Sequence, residues 1–305
     1  MEIVSNLFIL FIIILLGYGC RRYEILPKEA AQVIVQLILR VTLPALILVS
    51  MNLEYSRELA TSMLQIAAVA VAFTALVIVL AKVISKRLTL DESQKRQWSF
   101  ALIFGNVTFI GYPVAYLVLG QHGIFLSAIF DFVQSVLMFT YGIYLLSADK
   151  SLLSSAKKLG KDPVILSLIL GIVLFLLGIP LPEVLQTALH KIGSITSVLS
   201  MLAVGLLLQF RGFKDKTVRY TQVIVVFLKL LILPLLFLLI APMLHLSTET
   251  YTVAVIMIAC PTAILSTVLS EKYAQDGKFA AGSVFLTHLF CLITLPFILK
   301  ISGII

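Results

Sequence analysis

Residues 105–113, Gly-Asn-Val-Thr-Phe-Ile-Gly-Tyr-Pro, put an amide and a hydroxyl two positions apart inside an otherwise apolar run of helical length. Gly105 and Gly111 lower the cost of leaving helical geometry, and Pro113 removes a donor and crowds the preceding turn. A helix in hydrocarbon must satisfy its own backbone, so a break persists there only where protein or a cavity lines it. Such breaks build substrate sites in transporters, because a half-helix N-terminus carries about half a unit of positive charge and unpaired N–H groups. The chemistry expected of Asn106, Thr108, Gly111, Tyr112 and Pro113 is therefore non-covalent anion binding, most simply of a carboxylate.

A second stretch of this kind, Ala-Cys-Pro-Thr-Ala-Ile-Leu-Ser-Thr at 259–267, begins 154 positions after Gly105. The same offset places Gly17 on Gly171, Gln32 on Gln186, Thr42 on Thr196, Leu53 on Leu207 and Gly123 on Gly277. Paired interruptions at matching positions of two halves point to a transporter binding site. Pro261, Thr262, Ser266 and Thr267 therefore join the candidate substrate-binding residues. Pro113 and Pro261 are expected in the first turns of the two half-helices. Serine and threonine in membrane helices also bond back to their own carbonyls, so each hydroxyl is a weaker signal than the matched breaks. Pro44, Pro234 and Pro296 have no matched break and read as kinks.

Ionisable groups inside apolar spans are functional candidates by default. Asp131 is such a group, three residues before Gln134, which the offset places on His288. Asp131 is the candidate for carrying a proton or holding a cation. A lone His288 on an apolar helix is more often a structural residue. Arg40 is too deep in its span to reach water easily, whereas Lys191 and Lys229 lie near span ends and are expected to snorkel. His288 and Cys291 are spaced i, i+3 but lack further ligands, so neither a metal site nor a cofactor is expected. Cys20, Cys260 and Cys291 make no disulfide framework. There is no G-x-S-x-G, no H-E-x-x-H and no phosphate-binding glycine loop, so no catalytic residues are expected and the chain is read as a non-enzyme.

The elements that must position these residues follow from composition. The 305 residues are 60% hydrophobic and 12% charged, against roughly 25% charged in soluble domains, which makes this a polytopic membrane protein in contact with the lipid bilayer. Spans of about 20 apolar residues are expected at 3–20, 29–52, 59–84, 98–119, 122–147, 163–180, 183–210, 219–243, 250–271 and 279–300. No cleavable signal is expected, because Glu2 precedes the first apolar run and Arg21 and Arg22 follow it. Most basic residues fall after the odd-numbered spans, among them Lys86, Arg87, Lys95, Arg96, Lys157, Lys158 and Lys161. Only Arg57 and Lys300 lie on the opposite side. That asymmetry places both termini outside the cytoplasm. The net charge of +8 is spread over short loops and forms no basic face, which excludes nucleic acid as a partner. Two halves of five spans each, 1–148 and 149–305, must have opposite orientation. The fold expected is thus all-α, with ten transmembrane helices in two inverted five-helix repeats and broken helices 4 and 9 crossing at mid-membrane.

Asn106 to Pro113, Leu43-Pro44-Ala45-Leu46, Pro261-Thr262-Ala263 and Ser270 through Asp276-Gly277 together resemble the auxin efflux carrier family, with Val107 where that family often has threonine. The resemblance covers the whole chain and implies a fold shared with bile-acid sodium symporters. Spans 1, 2, 6 and 7 would form a scaffold able to make a homodimer, and spans 3–5 and 8–10 a moving transport bundle. It implies a permease of the inner membrane, of the compact bacterial type, for small organic anions: malate or malonate in bacterial members, auxin in plants. The rival readings are a sodium-coupled symporter of larger amphipathic anions, a ligand-binding membrane sensor without transport, and an intramembrane enzyme, for which no nucleophile–base pair is present.

Overall fold

The computed structural model describes residues 2–27, 29–147, 162–208, 216–273 and 277–305, and these form an all-helical membrane protein. The helices are α1 (Glu2–Arg22), α2 (Ala30–Met51), α3 (Arg57–Ser85), α4 (Glu92–Ile103), α5 (Val107–Leu146), α6 (Pro163–Leu177), α7 (Glu183–Leu207), α8 (Val218–Leu244), α9 (Thr248–Ile258), α10 (Leu265–Lys272) and α11 (Gly277–Ile301). Among the described residues, α2, α3, α5, α7, α8 and α11 are long and apolar enough to cross a membrane, and α6 and α9 are shorter apolar helices. The loop expected at 147–163 falls almost wholly outside the described residues, as do 274–276 of the stretch Ser270–Gly277.

Helix α5 runs over 40 residues but does not continue straight. At Gly120 the backbone has φ 57° and ψ −134°, a conformation closed to side chains with a Cβ. Beyond it, Gly123 lies against the carbonyl of Ala115 so closely that a Cβ there would collide with it. Eight residues of continuous helix would separate those positions by about 12 Å, so the chain folds back at Gly120. This is the boundary expected between 98–119 and 122–147.

Three prolines explain three local distortions. Pro44, Pro113 and Pro234 each sit in the first two positions of an α-helical segment that follows a π-helical turn: Ile38–Thr42, Val107–Gly111 and Leu228–Ile232 respectively. Proline clashes with the carbonyl four residues back, and in each case that carbonyl belongs to the widened turn, which moves it aside. Pro296 stays within the uninterrupted α11.

Two sets of helices make most of their contacts within themselves, and they meet where the second half of α2 packs on α5. In one, α1 lies along the second half of α7, and the second half of α2 packs against α6 and the first half of α7. In the other, α3, α5 and α9 pack together, and α4, α8 and α10 pack against α11. Glycines set the closest approaches. Gly17 and Gly205 bring α1 and α7 together so tightly that a Cβ on Gly17 would strike the Leu202 carbonyl. A Cβ on Gly171 of α6 would strike Met51 of α2. Shifting the pair Gly17–Gly205 by 154 positions for one member and back by 154 for the other yields Gly171–Met51. Large apolar residues left exposed, such as Leu64, Val71 and Val79 on α3 and Leu166, Leu170 and Val173 on α6, form stripes suited to lipid.

Candidate substrate site at the helix crossover

The two unwound stretches meet. Between α4 and α5, and between α9 and α10, the backbone leaves the helix, and Gly105 pairs with Thr262 as an isolated antiparallel bridge. The Asn106 N–H donates to the Pro261 carbonyl at 2.6 Å, and the Ala263 N–H donates to the Phe104 carbonyl at 3.0 Å. Each break thus supplies the partners that the other lost, which is how non-helical backbone survives among apolar helices. Thr262 ties the crossing further. Its N–H donates to Thr287 Oγ1 at 3.2 Å and its hydroxyl donates to the Ala101 carbonyl at 2.9 Å.

Three carbonyls at and just beyond the end of α4 find partners outside the helix. Ala101 accepts from Thr262, Leu102 accepts from Lys229 Nζ at 2.8 Å, and Phe104 accepts from Ala263. Lys229 is 4% exposed, so it does not snorkel to the surface as expected from the sequence. The π-helical turn before Pro234 carries it inward against the crossover. Trp98 anchors the same half-helix to α8 through a 3.0 Å bond from Nε1 to the Thr221 carbonyl.

On the other side of the break, Asn106 caps the new helix. Its Oδ1 accepts the Phe109 N–H at 3.4 Å, and its carbonyl accepts that of Ile110. Its amide nitrogen lies 2.9 Å from His288 Nε2, and His288 Nδ1 lies 2.8 Å from the Val284 carbonyl. The half-helix therefore begins at Asn106, with Pro113 seven residues inside it, rather than at Pro113 as expected. Pro261 likewise lies in the crossing and not in the first turn of α10, because its carbonyl is needed to pair Asn106.

Asp131, 6% exposed, is the carboxylate of this region. Thr108 Oγ1 donates to its Oδ2 at 2.9 Å, Ser135 approaches Oδ1 at 3.5 Å, and the Tyr112 hydroxyl bears on the same group. Gln134 donates to Thr74 Oγ1 at 2.9 Å, and its own Oε1 is buried with no partner among the described residues. Two small cavities adjoin the crossing. One, about 30 Å³, is lined by Asn106, Thr108, Asp131, Gln134, Ser135 and Ile264, among others. The second, about 20 Å³, is lined by Thr74, Leu102, Gln134 and Lys229. Gly105 and Gln134 border both. Both are small, with space for a water or two.

The remaining candidates divide. A Cβ on Gly111 would run into the side chains of Met257 and Cys260 in the opposite segment. Ser266 is buried, and its hydroxyl is unpartnered among the described residues. Thr267 bonds back to the Ile264 carbonyl at 2.8 Å. Arg40 is exposed on the π-helical turn of α2, in the other helical body, and is not gathered with the crossing residues. Lys229 is the residue that sequence reasoning missed. Its available signal was Pro234 five residues on. No cluster of histidine, cysteine and carboxylate able to hold a metal is present among the described residues.

Comparison with known proteins agrees with this architecture. A family model described as membrane transport protein matches residues 2–154 and 147–299. An uncharacterized transporter of Methanocaldococcus jannaschii is 25% identical over 296 residues, covering 94% of each chain. An uncharacterized transporter of Methanothermobacter thermautotrophicus is 27% identical over 289 residues, 93% of each. The uncharacterized transporter YfdV of Escherichia coli is 24% identical over 319 aligned positions, 99% of this chain and 98% of that one. A multi-pass membrane protein with two broken helices pairing at their breaks, matched by this model along nearly its whole length, is a permease rather than an enzyme: the chain belongs to the membrane transport protein family, the auxin efflux carriers.

Proposed function

We propose that this permease carries small organic anions, such as dicarboxylates of the malate and malonate type or auxin-like carboxylates. The observation that carries this reading is the helix begun and capped by Asn106 at the crossing with Pro261 and Thr262. Its first turn presents the positive end of a helix dipole beside a cavity partly lined by Thr108, Gln134 and Ser135, where a carboxylate is favoured. Asn106, Thr108, Gly111, Tyr112, Pro113, Pro261, Thr262, Ser266 and Thr267 are the proposed surroundings of the substrate. An anion entering there also meets Asp131, so binding favours its protonated form. Asp131 is accordingly the proposed coupling group, supported by Gln134 and His288, with Arg40 outside the site.

The mechanism proposed is alternating access of the elevator type. The body containing α3, α4, α5 and α8–α11 carries the crossing, and the body of α1, α2, α6 and α7 is the scaffold and the surface for a homodimer. The matched glycine contacts Gly17–Gly205 and Gly171–Met51, and the division of the family match near residue 150, favour ten spans in two inverted halves. The distribution of basic residues supports both termini on the extracytoplasmic side of the inner membrane. Purified protein in proteoliposomes should take up labelled malonate or malate, with competition from other carboxylates. Competition from neutral or cationic compounds alone would refute the anion reading.

A further inference from the structure

Lys229 is a feature of the crossing that the proposed anion site does not use. Its ammonium has three donors, and Leu102 O is the acceptor it reaches, at 2.8 Å. The ion pairs seen among the described residues, Lys95–Glu92 and His122–Glu249, lie elsewhere. The second cavity, beside this lysine, is also lined by Thr74, whose hydroxyl accepts from Gln134, and by Gln134, whose buried Oε1 has no partner among the described residues. The carbonyl end of a half-helix together with neutral oxygen donors is the donor set with which broken-helix transporters hold a bare monovalent cation. Here a covalently attached cation already stands at that carbonyl end. Helix α4 ends there, so its carbonyl dipole favours positive charge at that point.

We propose that the ammonium of Lys229 is a tethered cation that fills a monovalent-cation site at the carbonyl end of α4, so that the carrier cycles without sodium. The charge that other carriers recruit from solution travels with the protein. The cation site is preserved in its donors and closed to exchange. Gly105 and Gln134 separate this fixed positive charge from the Asp131 cavity, which leaves the carboxyl of Asp131 as the group that exchanges its ion, a proton. This inference rests on the crossing being the transport site, but its test needs no organic anion, so it can fail independently of the substrate assignment.

Melting of the purified protein in nanodiscs, in sodium chloride and in choline chloride at equal ionic strength, is the test. The wild type is expected to melt at the same temperature in both. Lys229→Ala should melt lower in choline and recover selectively, by roughly 3 °C or more, with sodium or ethylammonium, either of which fits the vacated donors. Lys229→Met, whose stem fills the space without charge, should also melt below wild type but show no recovery with either ion. Selective stabilisation of the wild type by sodium would overturn the proposal. So would a Lys229→Met protein as stable as wild type, or a folded Lys229→Ala protein indifferent to both cations. Should Lys229→Ala fail to fold, the wild-type and Lys229→Met arms decide.

Discussion

The side-chain amide of Asn106 meets the Nε2 of His288 at 2.9 Å, joining the break between α4 and α5 to the middle of α11 across 182 positions of chain. The other ring nitrogen faces the Val284 carbonyl, which accepts and never donates, so Nδ1 carries the hydrogen and Nε2 accepts from the Asn106 amide. That fixes Asn106 with its nitrogen on the imidazole and its oxygen on the Phe109 N–H. Asn106→Ala should cost about 0.5–2 kcal/mol of stability as a lost cap, and uptake in proteoliposomes should fall at least about tenfold. His288→Ala should lower uptake less, and the double variant should be no worse than Asn106→Ala, because the imidazole acts by holding the amide. Additive losses would show that the two residues serve separate purposes.

Much of this crossing was legible in the residues themselves. Glycine, asparagine and proline packed into an apolar run mark a break on local grounds, and the 154-residue offset finds its partner because both breaks keep their threonines. What local chemistry cannot give is which face of an apolar helix turns inward. The segment around Lys229 is apolar on every side, since lipid and protein ask for the same residues, so no periodicity separated a snorkelling lysine from a buried one. Arg40 was ambiguous for the same reason. The start of the half-helix was misplaced because the preference of proline for a first turn is a local rule. The π-helical turn before Pro113 lets the helix begin seven residues earlier.

Asp131 is held by Thr108 from the first turn of the capped helix, so the carboxyl and the break move as one. Asp131→Asn keeps the size and the ability to accept from Thr108 but cannot exchange a proton. It should retain substrate exchange across the membrane while losing accumulation against a gradient, measured as counterflow and as proton-driven uptake in the same vesicles. Thr108→Val should weaken both. Full accumulation by Asp131→Asn would remove this residue from the coupling role.

The fold-back at Gly120 requires two glycines for different reasons. Gly120 has a backbone conformation that costs other residues roughly 1–3 kcal/mol, although there is open space around it. Gly123 has ordinary helical geometry but abuts the Ala115 backbone, which cannot yield as a side chain would. Gly120→Ala should therefore lower the melting temperature moderately, and Gly123→Ala should lower it more, because the hairpin must open. Gly111→Ala should be the mildest of the three, since its nearest neighbour is the flexible end of Met257.

Gly17 and Gly205 offer a test of the repeat itself. A Cβ on Gly17 would enter the Leu202 carbonyl, and one on Gly205 would enter that of Ile14, so both clashes are with backbone. The offset-related contact, Gly171 against Met51, is with a side chain instead. If the two contacts hold equivalent places in inverted halves, all three alanine variants should loosen the scaffold, in an order set by what each methyl meets. Gly17→Ala and Gly205→Ala should cost about 1–3 kcal/mol, the usual range for overpacking, and Gly171→Ala less, because the methionine can turn aside. Gly19, two residues from Gly17 with nothing within reach of an added Cβ, supplies the control: Gly19→Ala should be neutral or slightly stabilising in a helix. Unfolding in detergent, read by circular dichroism across the four variants, distinguishes this order from a uniform sensitivity of every glycine in the scaffold. The second outcome would mean that the contacts share an offset without sharing a structural role.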